Sequence, residues 1–260
     1  SLMAAMAVEI ESRGAPRIDL NCGCPSNTVT GRGAGSSLLK DPSFLHEVAR
    51  AIVKAVNIPV SIKMRSGYAD TSLFRENLLA AQESGAVFIT LHPRTKIDGY
   101  TPPARWDLIA EAKELLSIPL VGNGDILNVD DALKMLRTTR CDALMIGRGA
   151  VTDPFIFHKI RASFSGKAYV PEWSTMKRYF EVYLSEISPD MPEKGKVNKM
   201  KQLMGFLFKG NATYLARVYS LASSSCIRAF WKILTNSTDF FSPIRSRVSS
   251  RYFRMHAASG

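Results

Sequence analysis

Five short β-branched or apolar runs, each followed by a helix-like stretch, fill the first 160 positions of this chain, and that alternation limits the fold more than any other feature. The runs lie at 18–21, 59–63, 88–92, 119–123 and 143–147. Helical patterns are predicted at 43–56, 72–84, 106–116 and 129–139, with another starting near Asp153-Pro154. Leu45, Val48, Ala49, Ile52 and Val53 have the i, i+3, i+4 spacing of a half-buried helix. Asp41-Pro42 and Asp153-Pro154 read as N-cap plus proline starts. Strand–helix repetition with apolar strands means α/β architecture, a parallel sheet covered by helices. A (β/α)8 barrel needs eight strands, and a doubly wound sheet only five or six. Every run ends in a polar residue or glycine: Asn21, Lys63, His92, Asn123 and Gly147. Functional groups at the mouth of every strand favour the barrel, because an open sheet gathers them at one switch point.

Beyond position 165 the strand signals stop. Helices are predicted at 176–187 and 196–208, with two more at 215–222 and 227–234. The expected organisation is a partial barrel over 1–165, a helical domain over 166–235 and an unstructured tail over 236–260. Positions 1–10 are apolar on one side and carry no basic n-region, so they read as an amphipathic helix entered partway. The opening Ser1 in place of Met points to a fragment. No apolar run approaches the roughly 20 residues that span a bilayer, so no membrane is expected. Cys22, Cys24, Cys141 and Cys226 include no CxxC pair, which argues against a metal site and for reduced thiols in an intracellular compartment. Charge is divided unevenly. Residues 1–158 hold 17 Lys+Arg against 17 Asp+Glu, and residues 159–260 hold 17 against 6. A basic part joined to a neutral one suggests a polyanion partner, against the plainer reading of a solvated basic surface.

Asn21-Cys22-Gly23-Cys24-Pro25 follows the first run. A thiol in a Gly-Cys-Pro turn at a barrel mouth is exposed and fixed in direction. With no partner cysteine and no evident His–Asp pair, proton donation is the role left to Cys24, the alternative being a small hydrophobe filling a turn. Gly31-Arg32-Gly33-Ala34-Gly35 lacks the context of a nucleotide loop and is expected to be a flexible lid or an ordinary loop. Lys63, inside an apolar strand, needs an anion or acceptor partner if buried, or else reaches solvent. His92 shares its rim with Lys63 and Asn21 and is either a ligand contact or a structural histidine. Gly122-Asn123-Gly124-Asp125 and Gly147-Arg148-Gly149 end the last two runs. Consecutive glycine loops after strands 7 and 8 form a phosphate site in barrel enzymes, and read that way they put three strands before Ser1. The alternative is two tight turns that need glycine for shape.

Together these motifs, with Lys63-x-Arg65 and His92-x-Arg94-Thr95-Lys96, resemble in order and spacing the tRNA-dihydrouridine synthases, closely over 2–165 and loosely over 170–210. The resemblance implies a (β/α)8 TIM barrel, here lacking its first three strands, followed by a small all-α domain that grips tRNA. It implies FMN at the barrel mouth, NADPH as reductant, hydride delivery to C6 of a uracil, and protonation of C5 by Cys24 rather than Cys22. Lys63, His92, Asn123, Gly124, Asp125, Gly147 and Arg148 would hold the flavin. Asn21, Arg94 and Lys96 would meet the substrate. A monomeric protein of the cytoplasm is expected, or of an organelle if a targeting segment precedes Ser1. The chain departs from the family at Pro93, where a glycine is usual, and after about Tyr214. The rival readings are another FMN barrel acting on a small molecule, which would need no basic appendage, and a catalytically inert RNA-binding fragment.

Overall fold

All five expected strands form, and they pair in the order in which they occur. In the computed structural model, which describes residues 2–207, β1 (Ile18–Cys22), β2 (Val60–Gly67), β3 (Ile89–Thr95), β4 (Leu120–Asn123) and β5 (Ala143–Met145) make one parallel sheet, β1-β2-β3-β4-β5. The expected helices at 215–222 and 227–234, the tail from 236 and Cys226 lie outside the described residues. An unreversed order has no switch point, so the sheet is not doubly wound. Successive right-handed crossovers in one direction put every covering helix on the same face.

Alternation along the strands then divides the sheet chemically. Leu20, Cys22, Ile62, Met64, Ile89, Leu91 and Leu120 are buried on the helix-covered face. The opposite face carries Asp19, Asn21, Ser61, Lys63, Arg65, Thr90, His92 and Asn123, aligned by a register that sets Asn21 beside Lys63 and Arg65 beside His92. Over the apolar face lie α3 (Pro42–Ala55), α4 (Phe74–Glu83), α5 (Trp106–Leu115) and α6 (Val129–Thr139), through buried residues such as Leu45, Ile52, Leu78, Ile109 and Met135. Asp41 caps α3 as expected, accepting from Phe44 N at 3.0 Å with Pro42 in the first turn. Asn128 caps α6 by accepting from Asp131 N at 2.9 Å.

The chain starts in a helix, α1 (Leu2–Ser12), but only Ala7 of it is buried, and Leu2, Met3, Met6, Val8 and Ile10 are exposed. The glycine-rich stretch is exposed over positions 31–34 and packed from Gly35 on. It follows a single turn, α2 (Asn27–Thr30), and leads into a 3-10 helix over Gly35–Lys40 whose Gly35, Ser36, Leu38 and Leu39 are buried. Packing of Leu38 and Leu39 anchors it where composition alone suggested freedom.

A second compact unit begins at Gly149. Its elements after the short α7 (Arg148–Thr152) are α8 (Ile156–Ser163), α9 (Trp173–Ser185) and α10 (Glu193–Leu207). Asp153 does not cap α8 directly. It accepts from Phe155 N at 3.1 Å and pairs with Lys159 at 2.5 Å, and the helix starts at Ile156. Val197, Met200, Leu203 and Met204 face Met176, Phe180 and Phe155 to form this unit's own core, flanked by Tyr169 and Tyr179. Among the described residues no helix is long and apolar enough to cross a membrane, and no group of three or more His, Cys, Asp or Glu could hold a metal ion.

Candidate active site

The polar face of the sheet opens into a cavity of about 520 Å³ within the first unit. Asn21, Cys24, Lys63, His92, Asn123, Gly124, Asp125, Gly147 and Arg148 all line it, together with Arg65 and Tyr100. Its size is that of a small-molecule or cofactor site.

Cys24 is held by its own turn. Asn21 Oδ1 accepts from the backbone N–H groups of Gly23 and Cys24, each at 3.0 Å. The Cys24 carbonyl accepts from Ser36 N at 3.1 Å and Ser36 Oγ at 2.9 Å. Gly35, at φ +62°, makes this possible, because a Cβ there would sit 2.9 Å from the Cys24 carbonyl oxygen. The thiol is thus placed at the rim by contacts on both sides of it, and the Asn21 Nδ2 group is left without a partner among the described residues. Cys22 is different. It is 0 % exposed on the apolar face, and burial, followed by the charge of Asp19, pushes its thiol well above the usual range. It stays protonated and inert.

Lys63 is half-buried in the cavity with no hydrogen bond or ion pair among the described residues. Burial, then the neighbouring Arg65 guanidinium, lowers its pKa against the pull of Asp19. A desolvated ammonium without an anion is costly, and it fits an anionic or electron-rich ligand edge. Arg65, two residues on, is instead tied to the backbone around it. It donates to the carbonyls of Gly23 (2.9 Å), Thr95 (2.8 Å) and Gly99 (2.9 Å) and so ties the turn after β1 to the end of β3 and its loop.

His92 is buried. Burial, then the cations Arg65, Lys63 and Arg94, lower its pKa from 6.5 to about 3 despite Asp125. Its Nε2 lies 3.2 Å from Arg94 NH1. Arg94 does not reach the cavity. It is 1 % exposed, donates from Nε to Thr101 O at 2.7 Å and pairs through NH2 with Asp125 Oδ2 at 2.5 Å. Asp125 also accepts from Ala104 N at 2.8 Å and from Arg148 NH2 at 2.9 Å. Burial would raise its pKa, but the Arg94 and Ala104 hydrogen bonds outweigh it and hold the carboxyl below the usual range. Lys96 lies outside the lining, its ammonium 3.0 Å from Asn27 Oδ1 and 5.3 Å from the centre of the Tyr68 ring.

The two glycine loops are arranged for an anion. Asn123 Nδ2 donates to the Met145 carbonyl at 2.7 Å, locking β4 to β5 at their mouths. Gly124 (φ +115°) and Asp125 (φ +53°) follow in left-handed conformation, and a Cβ on Gly124 would lie 3.0 Å from His92 Cδ2. The N–H groups of Gly124, Asp125 and Gly147 donate to no partner among the described residues, and Gly147 has open space where a side chain would be. Free backbone donors beside glycine are what a phosphate group requires.

Tyr100 is among the lining residues that the sequence did not reveal, with the apolar Ile126, Leu127, Met145 and Ile146. It is 60 % exposed, and Arg65 and Arg148 place their guanidinium carbons 5.4 and 5.6 Å from its ring centre. The sequence signal was faint, an aromatic in a Gly-Tyr-Thr-Pro loop five residues past the end of β3.

Comparison with known proteins is consistent with this arrangement. Residues 1–219 match the family model described as "Dihydrouridine synthase (Dus)". The chain is 41 % identical over 184 residues to the tRNA-dihydrouridine(16) synthase of Shewanella oneidensis, covering 70 % of this chain and 58 % of that protein. It is 36 % identical over 206 residues to the protein of that name from Ralstonia nicotianae, covering 78 % and 62 %. For the one from Pseudomonas putida the values are 35 % over 207 residues, covering 78 % and 63 %. The chain therefore spans about three fifths of the length of these curated relatives.

Proposed function

The chain belongs to the dihydrouridine synthase family, and from that premise we propose that it carries the machinery for reducing a uridine of tRNA to 5,6-dihydrouridine. The five strands are read as consecutive strands of a (β/α)8 barrel, supported by their unreversed order and by the gathering of polar residues at one set of strand ends. The helices beyond Gly149 are read as the start of a tRNA-gripping domain, supported by the basic balance of the chain after position 158.

One observation carries the proposal: a turn-fixed thiol, Cys24, shares a cavity with an unpartnered ammonium, Lys63, and a neutral imidazole, His92. The donors in this cavity suit FMN. Lys63 offers positive charge to the electron-rich edge of the ring system. His92 offers an N–H. The amides of Gly124, Asp125 and Gly147, with the Arg148 side chain nearby, suit the phosphate, and Asn123 holds the two loops together. Held by these residues, a reduced flavin would supply a hydride to C6 of the uracil, with NADPH as the external reductant. Cys24 gives its Sγ proton to C5, so one hydride and one proton saturate the C5–C6 bond. Asn21, its oxygen committed to the turn, keeps Nδ2 to donate to a uracil carbonyl. The base must leave its stack to arrive, at a cost of a few kcal/mol, and the exposed Tyr100 ring at the rim is a surface for it to rest on. Position 16 is the uridine we assign, from the names of the relatives.

The test is an assay with FMN, NADPH and unmodified tRNA, with dihydrouridine mapped by position. Product at position 16 is expected. Flavin binding without any dihydrouridine would favour a small-molecule oxidoreductase, and absence of flavin binding would favour an RNA-binding role alone.

A further inference from the structure

We propose that Arg94 is a positioning residue, buried beneath the cavity, which locks His92 in its Nδ1–H tautomer and so presents the ligand with a fixed hydrogen-bond donor. That the ligand is a flavin rests on the function proposed above; the tautomer does not.

The geometry leaves little choice. A guanidinium has donors and no acceptor. Arg94 NH1 stands 3.2 Å from His92 Nε2, so that nitrogen must accept, and the ring proton must reside on Nδ1. Arg94 itself has nowhere else to go. Its Nε is committed to the Thr101 carbonyl at 2.7 Å, its NH2 to Asp125 at 2.5 Å, and the side chain is 1 % exposed. Asp125 is fixed in turn by Ala104 N–H and by Arg148. The loop that bears the phosphate-facing amides is therefore joined, through Asp125 and Arg94, to the orientation of the imidazole.

The surroundings of His92 agree. The ring faces Arg65 and Lys63 from β2, Arg94 from its own strand, Asp125 from the β4 loop and Tyr100, whose ring centre is 6.3 Å away. Three cations against one carboxylate oppose a second ring proton. A free imidazole exchanges its proton between both nitrogens and gains a second one between about pH 5 and 8. Held by Arg94, it does neither. The Nδ1–H has no acceptor among the described residues, so the donor is kept for whatever enters the cavity.

Long-range proton–nitrogen correlation spectra of the full chain, labelled at its histidine nitrogens, read the tautomer directly, with His92 assigned by loss of its signals in His92→Gln. We expect Nδ1 protonated and Nε2 bare, unchanged between about pH 8 and pH 5. In Arg94→Met we expect the single form to be lost and the ring to begin titrating. A wild-type spectrum with Nε2–H or a doubly protonated ring overturns the proposal without need of any variant. So does an Arg94→Met spectrum identical to wild type. The spectra need neither flavin nor tRNA, so failure of uridine reduction would count against the proposed function and leave this assignment standing.

Discussion

Cys22 and Cys24 are two residues apart, yet Cys22 ends β1 buried under the helices, while Cys24 lies beyond the strand in a turn held by Asn21 and Ser36 that brings it to the cavity rim. Cys24→Ala is accordingly expected to retain flavin affinity and to lose nearly all uridine reduction, while Cys22→Ala keeps turnover and loses on the order of 1 kcal/mol of stability to the small cavity left behind. Flavin fluorescence, a turnover assay and urea unfolding on both variants check this, and equal turnover losses would remove the distinction. His92 has a separate signature. Its folded pKa, about 3, lies below the ordinary 6.5, so between those values the unfolded chain binds more protons than the folded one. Stability from this residue is complete above about 6.5 and declines as the pH falls toward 3, by an amount on the order of a few kcal/mol. Urea midpoints on either side of that window should converge in His92→Gln relative to wild type. At this scale the sequence was legible wherever a polar residue ended an apolar run, and Lys63, His92 and Asn123 do line the cavity. It gave no sign that Arg94 would lie buried outside the lining, because β3 is buried on both faces and its alternation gives no hint of which polar residue meets solvent. Tyr100 escaped because an exposed loop aromatic has no periodicity to betray it.

All five strands and the long helices were legible as elements, though β2 and β3 run three to four residues past their expected ends and α9 and α10 begin three residues early. The misses are the short pieces. Four residues of α2 and six of the 3-10 helix are too few for a periodicity, and the glycines among them suggested freedom instead. What those glycines do is local and opposite at two sites. Gly35 is left-handed and in close approach, so Gly35→Ala should strain the backbone by about 1–3 kcal/mol and push the Cys24 turn outward. Uridine reduction should fall while flavin affinity persists. Gly147 has nothing near its missing side chain, so Gly147→Ala should leave the unfolding temperature unchanged and weaken flavin binding by obstructing the close approach of a phosphate. Thermal unfolding and flavin titration of the two variants separate a glycine needed for packing from one needed for access. Loss of stability in both, with flavin affinity intact in both, would mean that the loop after β5 is only a turn.

Charge divides the chain into a neutral part, residues 1–158, and a more basic part whose net charge is mostly beyond the described residues. Residues 208–260 alone hold eight Lys+Arg against one Asp+Glu. If that charge serves tRNA, affinity must follow counterion release, with log K falling by about 0.7–0.9 per phosphate neutralised for each unit of log salt. A steep slope in binding of unmodified tRNA is expected, and a flat one would reduce the basic part to a solvated surface. The helical unit offers a sharper division of labour. Phe180 is 0 % exposed in a core that, among the described residues, is made of α9, α10 and Phe155 with flanking tyrosines and leucines. Truncating such a ring costs about 3–5 kcal/mol, enough to unfold a core this small. Among the described residues, the cavity lining and this core share no residue. Phe180→Ala should therefore abolish tRNA affinity and leave saturable flavin binding in place, measured by filter binding and flavin fluorescence on the same preparation. Loss of both would mean that the cup holding the flavin depends on the helical unit for its own folding, and the two activities would then have to be treated as properties of one cooperative structure.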